Sequence, residues 1–474
     1  MAVQPSVDTD SWWHLRSGAW MLENGELLRT DPFSLTRQGQ TWEYPGWIAQ
    51  IILYFLFNQF SFAGLNIFTA MMVFIAFVFL WAALEGPGLL KASVILLAAA
   101  ASGLYWSARP QIITFTLTGI SIYLLEAARK GNLKRIWWMP ILMAFWANIH
   151  GGFAVGFLLI GLYFVSDIAD MLLAKLVSSQ PLAETWQSRK RYLSTLGTVG
   201  LGSLITSMIN PLGPKILYYP FKTLSIGTLR EYIAEWQPPN FQSTEVQPFI
   251  LLLFLTLFAM AISGRKREVR DFLIVGLFGY MSLLAVRNVS LFALTAAPIL
   301  SRHLVTGLQP IFERFRSREE LPKRLANWIN LILAVLISFA ALLQISLQLP
   351  DQENIDHVGD LIPLDAFEYI HENKPPGPIF NSYNWGAYIL WDLYPEYLSF
   401  VDGRTDLFKD EILDEYIRTW LAEPEWEEFL DQWEIQLALL ETKAPLVNVM
   451  IHEGWVVEFQ DEQAVILRRR PTNP

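Results

Sequence analysis

An all-α transmembrane helical bundle of about ten spans, followed by a small extracytoplasmic α/β domain, is the architecture this sequence predicts. Three observations carry that reading. Hydrophobic residues make up 53% of the 474 and charged residues only 17%, where a soluble domain carries about 25% charged residues. Apolar runs approaching the roughly 20 residues that cross a bilayer recur through the first three quarters of the chain. The charge is also uneven: from Pro350 onward there are 26 Asp/Glu against 8 Lys/Arg, a net of −18, so the whole-chain value of −10 leaves about +8 on the rest.

The expected spans, in order, are 64–84, 89–107, 110–127, 137–149, 152–173, 193–209, 247–263, 271–286, 289–304 and 327–348. Residues 44–62 are apolar but carry Gln50, Asn58 and Gln59, and read as an amphipathic helix lying at the interface. Three regions result: an extracytoplasmic first loop over 1–62, the membrane bundle over 63–349, and the soluble domain over 350–474. Nothing apolar precedes the acidic, Trp-rich N-terminal segment. A span upstream of Met1 is therefore expected, which would make eleven.

Orientation follows from the basic loops at 129–135, 189–191, 265–270 and 314–324. Two spans separate each neighbouring pair, so all four share one face, which the positive-inside tendency assigns to the cytoplasm. The first loop, the turns at 107–111 and 150–152, the loop 210–246, Arg287 and the tail then face outward.

The tail alternates helix and strand signals. Residues 365–373, 410–422 and 424–433 have helical character, and strands are expected at Phe380, over 397–402, and around 455–459 and 464–468.

Composition also excludes chemistry. With no cysteine, disulfides, thiolate zinc sites and thiol nucleophiles are ruled out, and the six histidines have no HExxH spacing. No concentrated basic face points to nucleic acid. The 19 tryptophans suit membrane interfaces.

Four constellations could carry chemistry. Asp8-Thr9-Asp10-Ser11-Trp12-Trp13-His14 puts two carboxylates and an imidazole beside two indoles. Two carboxylates this close can share a divalent cation such as Mg or Mn, or one can serve as general base while the other tunes it. Equally, they can be a solvated loop with Trp anchors. Arg109, His150 and Arg287 are lone polar groups in apolar context, costly at membrane depth and suited to clamping a phosphate. The plainer alternative is pairing with a structural carboxylate such as Glu235, and a hydrogen-bonded structural role for His150. Loop 210–246, with Glu235 and Trp236, can act as a lid or a connector. In the tail, Asn381, Trp385, Asp402 and Arg404 stand at strand ends, as substrate contacts or as a structural turn with an ion pair.

The stretch 8–18, continuing to Thr30-Asp31-Pro32-Phe33-Ser34 and Thr41-Trp42, resembles a group of bacterial membrane proteins related to the C-type (GT-C) glycosyltransferases. Ala108-Arg109-Pro110-Gln111, Asn148-Ile149-His150-Gly151-Gly152-Phe153, Arg287-Asn288, Phe380-Asn381 and Val401-Asp402-Gly403-Arg404 fit the same group. The resemblance covers nearly the whole chain. It implies a cell-envelope transferase that takes a sugar from a polyprenyl-phosphate carrier in the bilayer and passes it to an extracytoplasmic glycan, lipid or protein. It further implies an acidic motif in the first outer loop, in some branches His-Pro-Asp-Glu. Asp10 is the best match to its acid and Asp8 the second, with Thr9 where that motif has proline and Ser11 where it has a second acid. Arg109 and Arg287 would stabilise the departing phosphate, and His14, Trp13, His150 and Glu235 would line the substrate site.

Two other functions compete. A transporter or flippase of a lipid-linked sugar would use the same arginines without a catalytic acid. A non-catalytic envelope assembly protein would use the acidic tail for a partner. The spans look nearly free of mid-membrane charge, and the candidate groups fall on one face, which favours a one-sided enzyme.

Overall fold

The structure is a computed structural model and describes residues 4–178, 182–266, 268–309 and 350–470, with scattered positions between 324 and 346. The predicted span 327–348 and the basic loop 314–324 therefore lie almost wholly outside the described residues. The chain forms two compact units. One comprises Met1–Gln4, Ile67–Pro220 and Ala234–Gln348; the other comprises Pro5–Asn66, Phe221–Ile233 and Leu349–Pro474. The first loop and the tail, treated above as separate regions, thus belong to one unit, joined by a short piece of loop 210–246.

Six described helical segments are long and apolar enough to cross a membrane: Trp47–Ala83, Gly88–Tyr105, Pro110–Arg129, Gly151–Leu176, Thr244–Ile262 and Val286–Gly307. Of the ten expected spans, four are not counted by this measure: Met139–Ala147 and Val269–Leu284 are shorter helices, Leu182–Ser207 is long but charged in its first half, and 327–348 lies almost wholly outside the described residues. Expected interfacial helix 44–62 and expected span 64–84 run on as one element, Trp47–Ala83, interrupted at Ser61, where φ is 53° and ψ −149°.

In the helical unit, Pro110–Arg129 (α1) and Val289–Gly307 (α2) are central. The windows that contain them are 78% and 72% buried. Leu117, Leu125, Phe292 and Leu300 fill that core. Helix Val269–Leu284 (α3) packs on α2 and on Ala154–Ser178 (α4).

A charged network joins these four helices. Arg270 of α3 donates to Glu126 of α1 at 2.9 Å. Arg302 of α2 donates to Glu126 at 3.2 Å and to Asp271 at 3.0 Å. His303 Nε2 stands 3.0 Å from Asp271, and Tyr163 of α4 donates to Glu126 at 2.6 Å. All are buried. Isolated charges there would cost several kcal/mol each, so mutual pairing is what makes their burial tolerable. Arg270, expected in a basic loop, stands instead in the first turn of α3, and helix ends carry a closed network.

The other unit holds a four-stranded sheet of order β1-β2-β4-β3: Ile379–Asn381 (β1), Leu437–Glu441 (β2), Val456–Gln460 (β3) and Ala464–Arg468 (β4). β1 pairs with β2 in parallel, and β4 runs antiparallel to both neighbours. Leu437–Leu440 and Val465–Leu467 are fully buried, so the middle of the sheet is enclosed on both faces. Helices Leu364–Asn373, Thr405–Trp420 and Trp426–Gln432 match the expected helical stretches. Residues 397–402, expected as a strand, form instead an irregular segment with one bridge, Ser34 to Ser399.

Candidate active site

The candidate residues fall into two sets, one in each unit. In the sheet-bearing unit, helix Ser11–Asn24 starts at the acidic motif. Its first amides need acceptors. Asp8 supplies them: Oδ1 accepts from the backbone N–H of Asp10 and of Ser11 and from the Ser11 hydroxyl, each at 3.1 Å. A carboxylate at that end also meets the positive pole of the helix. Asp10 sits at the cap position but makes no capping bond with its side chain. Its Oδ1 lies against Gly403, in the space where a Cβ at that position would be. The two acids therefore divide: Asp8 is engaged in starting the helix, and the Asp10 carboxylate points elsewhere.

Trp13, one turn on, is 6% exposed, and its Nε1 has no hydrogen-bond partner among the described residues. That nitrogen would lie 3.1 Å from the same Gly403 Cβ position. The Trp13 ring stacks on His14 with centroids 3.5 Å apart and meets Trp42 and Tyr44 at 5.8 and 5.3 Å. The donor, the carboxylate and the bare Cα of Gly403 thus share one spot walled by aromatic rings.

Asn381, Asp402 and Arg404 are all buried beneath it. Asp402 accepts from Arg404 Nε at 2.8 Å and Nη2 at 2.7 Å, and Arg404 Nη1 reaches Asp31 at 2.5 Å. The guanidinium lies 4.9 Å from the Trp42 ring centroid. Burial alone would depress the Arg404 pKa, but Asp31 and Asp402 outweigh it and raise it, so the cation is fixed. Asn381 Oδ1 accepts from Phe400 N–H at 2.7 Å, and its Nδ2 donates to the Val401 carbonyl at 2.9 Å. Trp385 Nε1 donates to the Leu361 carbonyl at 3.2 Å. These polar groups are engaged by the protein and brace the Asp402–Arg404 turn that carries Gly403. Of the two alternatives for Asp402 and Arg404, the ion-paired turn is the geometry found. Asp406, two residues on, accepts from Trp42 Nε1 at 3.3 Å.

In the helical unit, Arg109 caps α1 in extended conformation and Pro110 opens the helix. Arg109 Nη2 pairs with Glu235, carried on the short turn Ala234–Trp236. Arg287, on the turn before α2, stands 4.4 Å over the Trp236 ring, and the Val286 N–H donates to the Gln237 carbonyl at 2.9 Å. Burial would raise the Glu235 pKa, but Arg109 and then Arg287 outweigh it and hold the carboxyl below its ordinary range. His150 Nδ1 accepts from the Gly152 N–H at 3.1 Å and lies 3.0 Å from Thr114 Oγ1, itself an acceptor from Trp146 Nε1 at 2.8 Å. Burial first, then Arg287 and Arg109, pushes the His150 imidazole down to about 3. It is neutral near pH 7, with Nδ1 as acceptor and the proton on Nε2. Two guanidinium groups thus act on the Glu235 carboxylate.

Asp8 and Asp10 find no third partner for a metal: no group of three or more His, Asp or Glu among the described residues could hold one. Asp8 Oδ1 is already turned back onto the helix amides, so the donor set does not fit a resident divalent cation.

No protein-family model matches the chain, and no curated protein sequence does. Solved structures do. The oligosaccharyltransferase AglB of Archaeoglobus fulgidus, in complex with an inhibitory peptide and a dolichol-phosphate, matches with TM-score 0.60 and 12% identity, over 93% of this chain and 66% of AglB. ArnT of Cupriavidus metallidurans, in the apo state, matches with TM-score 0.51 and 13% identity, over 98% of this chain and 94% of ArnT. The chain shares the fold of these two structures. It spans about two thirds of the length of AglB and nearly all of ArnT. Six of its described helical segments are long and apolar enough for the chain to cross a membrane several times. Sequence reasoning quoted Asp31, Trp42 and Gly403 only as parts of motifs. Nothing in their spacing revealed that a buried ion triad would bring them together under Asp10.

Proposed function

We propose that this protein is a bacterial inner-membrane glycosyltransferase moving a sugar from a polyprenyl-phosphate carrier to an extracytoplasmic acceptor, with its sheet-bearing unit outside. The observation that carries the reading is the pair Arg109 and Arg287, gathered at Glu235 at the ends of apolar helices. Guanidinium groups placed there suit the phosphate of a carrier whose tail stays in the bilayer. AglB, which has the same fold, is in complex with a dolichol-phosphate in its solved structure.

Each set offers its own chemistry. In the sheet-bearing unit Asp10 accepts the proton of the attacking acceptor. In the helical unit the guanidinium groups of Arg109 and Arg287 suit the charge of a lipid phosphate. His150, neutral, offers its Nε2–H as a hydrogen-bond donor. Asp8 acts on structure, holding the helix end from which Asp10 projects.

The test is sugar transfer from polyprenyl-phosphate hexose and pentose donors by membrane-inserted protein. Asp10→Asn is expected to abolish transfer while the protein still inserts; full activity of Asp10→Asn ends the catalytic reading. Tags beside residue 10 and at the C-terminus are expected on the outer side of the membrane.

A further inference from the structure

We propose that the indole N–H of Trp13 and the carboxylate of Asp10 together hold a hydroxyl group of the acceptor, so that the enzyme forms an O-glycosidic bond; this rests on the reading of Asp10 as the base. Buried polar hydrogens almost always find partners. The Trp13 Nε1–H has none among the described residues, although the ring is 6% exposed. It is also placed: the Gly403 Cβ position, 3.1 Å from Nε1, falls against Asp10 Oδ1. A donor lacking a partner and a carboxylate therefore lie against the same bare face of Gly403, where the carboxylate takes the place a side chain would fill.

What fits between them follows from lone-pair bookkeeping. A hydroxyl oxygen has one proton and two lone pairs. One lone pair accepts from Trp13 Nε1–H, the proton goes to Asp10, and the second lone pair forms the bond to the anomeric carbon while the carbon–phosphate oxygen bond breaks towards the carrier. Charge and atoms balance without a co-reactant. An amine nitrogen has a single lone pair, which the attack consumes, so the indole N–H would stay buried and unsatisfied. An ammonium has none, and an amide nitrogen has none to give. Asp10 retains capacity for the new bond, since a carboxylate accepts at about four lone-pair positions.

Trp13→Phe keeps the ring and deletes only the donor. With the full chain in nanodiscs, polyprenyl-phosphate hexose and pentose donors, and methyl hexopyranosides as hydroxyl acceptors, Trp13→Phe is expected to lower kcat/KM for the acceptor about ten-fold, with unchanged KM for the donor and unchanged Tm. Acetyl-asparagine methylamide and butylamine are the amide and amine arms and are expected to give no product. In parallel, the indole ¹⁵N–¹H resonance of Trp13, assigned by its loss in Trp13→Phe, is expected to move on adding methyl hexopyranosides, a readout that needs no turnover. Transfer by Trp13→Phe within two-fold of wild type, product on the amide or amine alone, or an indole resonance that no glycoside shifts would each overturn the proposal. Retained activity of Asp10→Asn would instead strike the underlying function, whatever Trp13→Phe does.

Discussion

The Asp10 carboxylate rests on the bare Cα of Gly403, filling the place a side chain there would take. A residue on the first helix of the chain and one in a turn nearly four hundred positions later are thus fitted to each other. Gly403→Ala forces one of them to move, and because the opposing group is a short, half-buried carboxylate the movement falls on Asp10. We expect transfer to fall at least ten-fold at a stability cost of about 1–3 kcal/mol, the usual range for overpacking. Denaturation midpoints and single-donor turnover, measured side by side, check it.

The Arg404 triad holds that turn. Its partners Asp31 and Asp402 are completely buried, like Arg404 itself. Removing the cation leaves two buried carboxylates facing each other, so Arg404→Met is expected to destabilise the sheet-bearing unit by about 3–5 kcal/mol. Arg404→Lys is expected to rescue little, because an ammonium cannot reproduce the Nε, Nη1 and Nη2 contacts. Thermal unfolding of the purified variants is the measurement.

Glu235 occupies the corner that the lipid phosphate would need. Glu235→Gln is expected to tighten binding of farnesyl phosphate about three- to ten-fold, because a competing anion leaves the Arg109 site. Arg109→Lys is expected to weaken it. The Glu235 pKa is lowered in the fold, so its ion pair contributes stability above the unfolded value, about 4.3. That contribution is lost as pH falls through the lower folded value. Acid titration of binding is therefore expected to be flatter in Glu235→Gln than in wild type.

A second acid-sensitive contact lies in the sheet-bearing unit. The Asp410 carboxylate accepts from the Thr228 hydroxyl and from the N–H groups of Gly227 and Thr228, at 3.1 and 3.0 Å for the latter two. The Thr228 hydroxyl bond is the first cause of its lowered pKa, with the two backbone bonds adding to it. The contact is present above the unfolded Asp value of about 3.9 and fades as pH falls through the folded one. Hydrogen exchange over residues 221–233 is expected to speed up several-fold in Asp410→Asn at pH 7. No change there would separate Asp410 from the ordering of that segment.

Much of this protein was legible in its residues for definite reasons. Apolar runs announce membrane helices because a bilayer demands length and internal hydrogen bonding, and 110–127 and 289–304 were found nearly to the residue. The tail helices were readable from acids at their starts. The β2 strand was missed because Leu437–Leu440 is a short, continuous apolar run without alternation. The 397–402 segment was misread because its apolar residues serve a turn, with Phe400 and Val401 packed inward and Ser399 paired to Ser34. In the site, Asp10 and Trp13 stood out by chemistry. The separation of Asp8 from Asp10 did not, since which carboxylate caps a helix depends on one rotamer and a neighbouring serine. The partners of Arg404 and of Glu126 are set by chain folding over hundreds of positions, which no local pattern encodes.

The Glu126 network has a consequence for how the protein is made. Its first cation, Arg270, lies 144 residues downstream, and Arg302 lies 176 downstream. At ribosomal rates of about 5–20 residues per second, the glutamate is synthesised on the order of ten seconds before either arginine exists. Tyr163, 37 residues on, is made well before them. The closed network around Glu126 is therefore completed late, once Arg270 and Arg302 have been made.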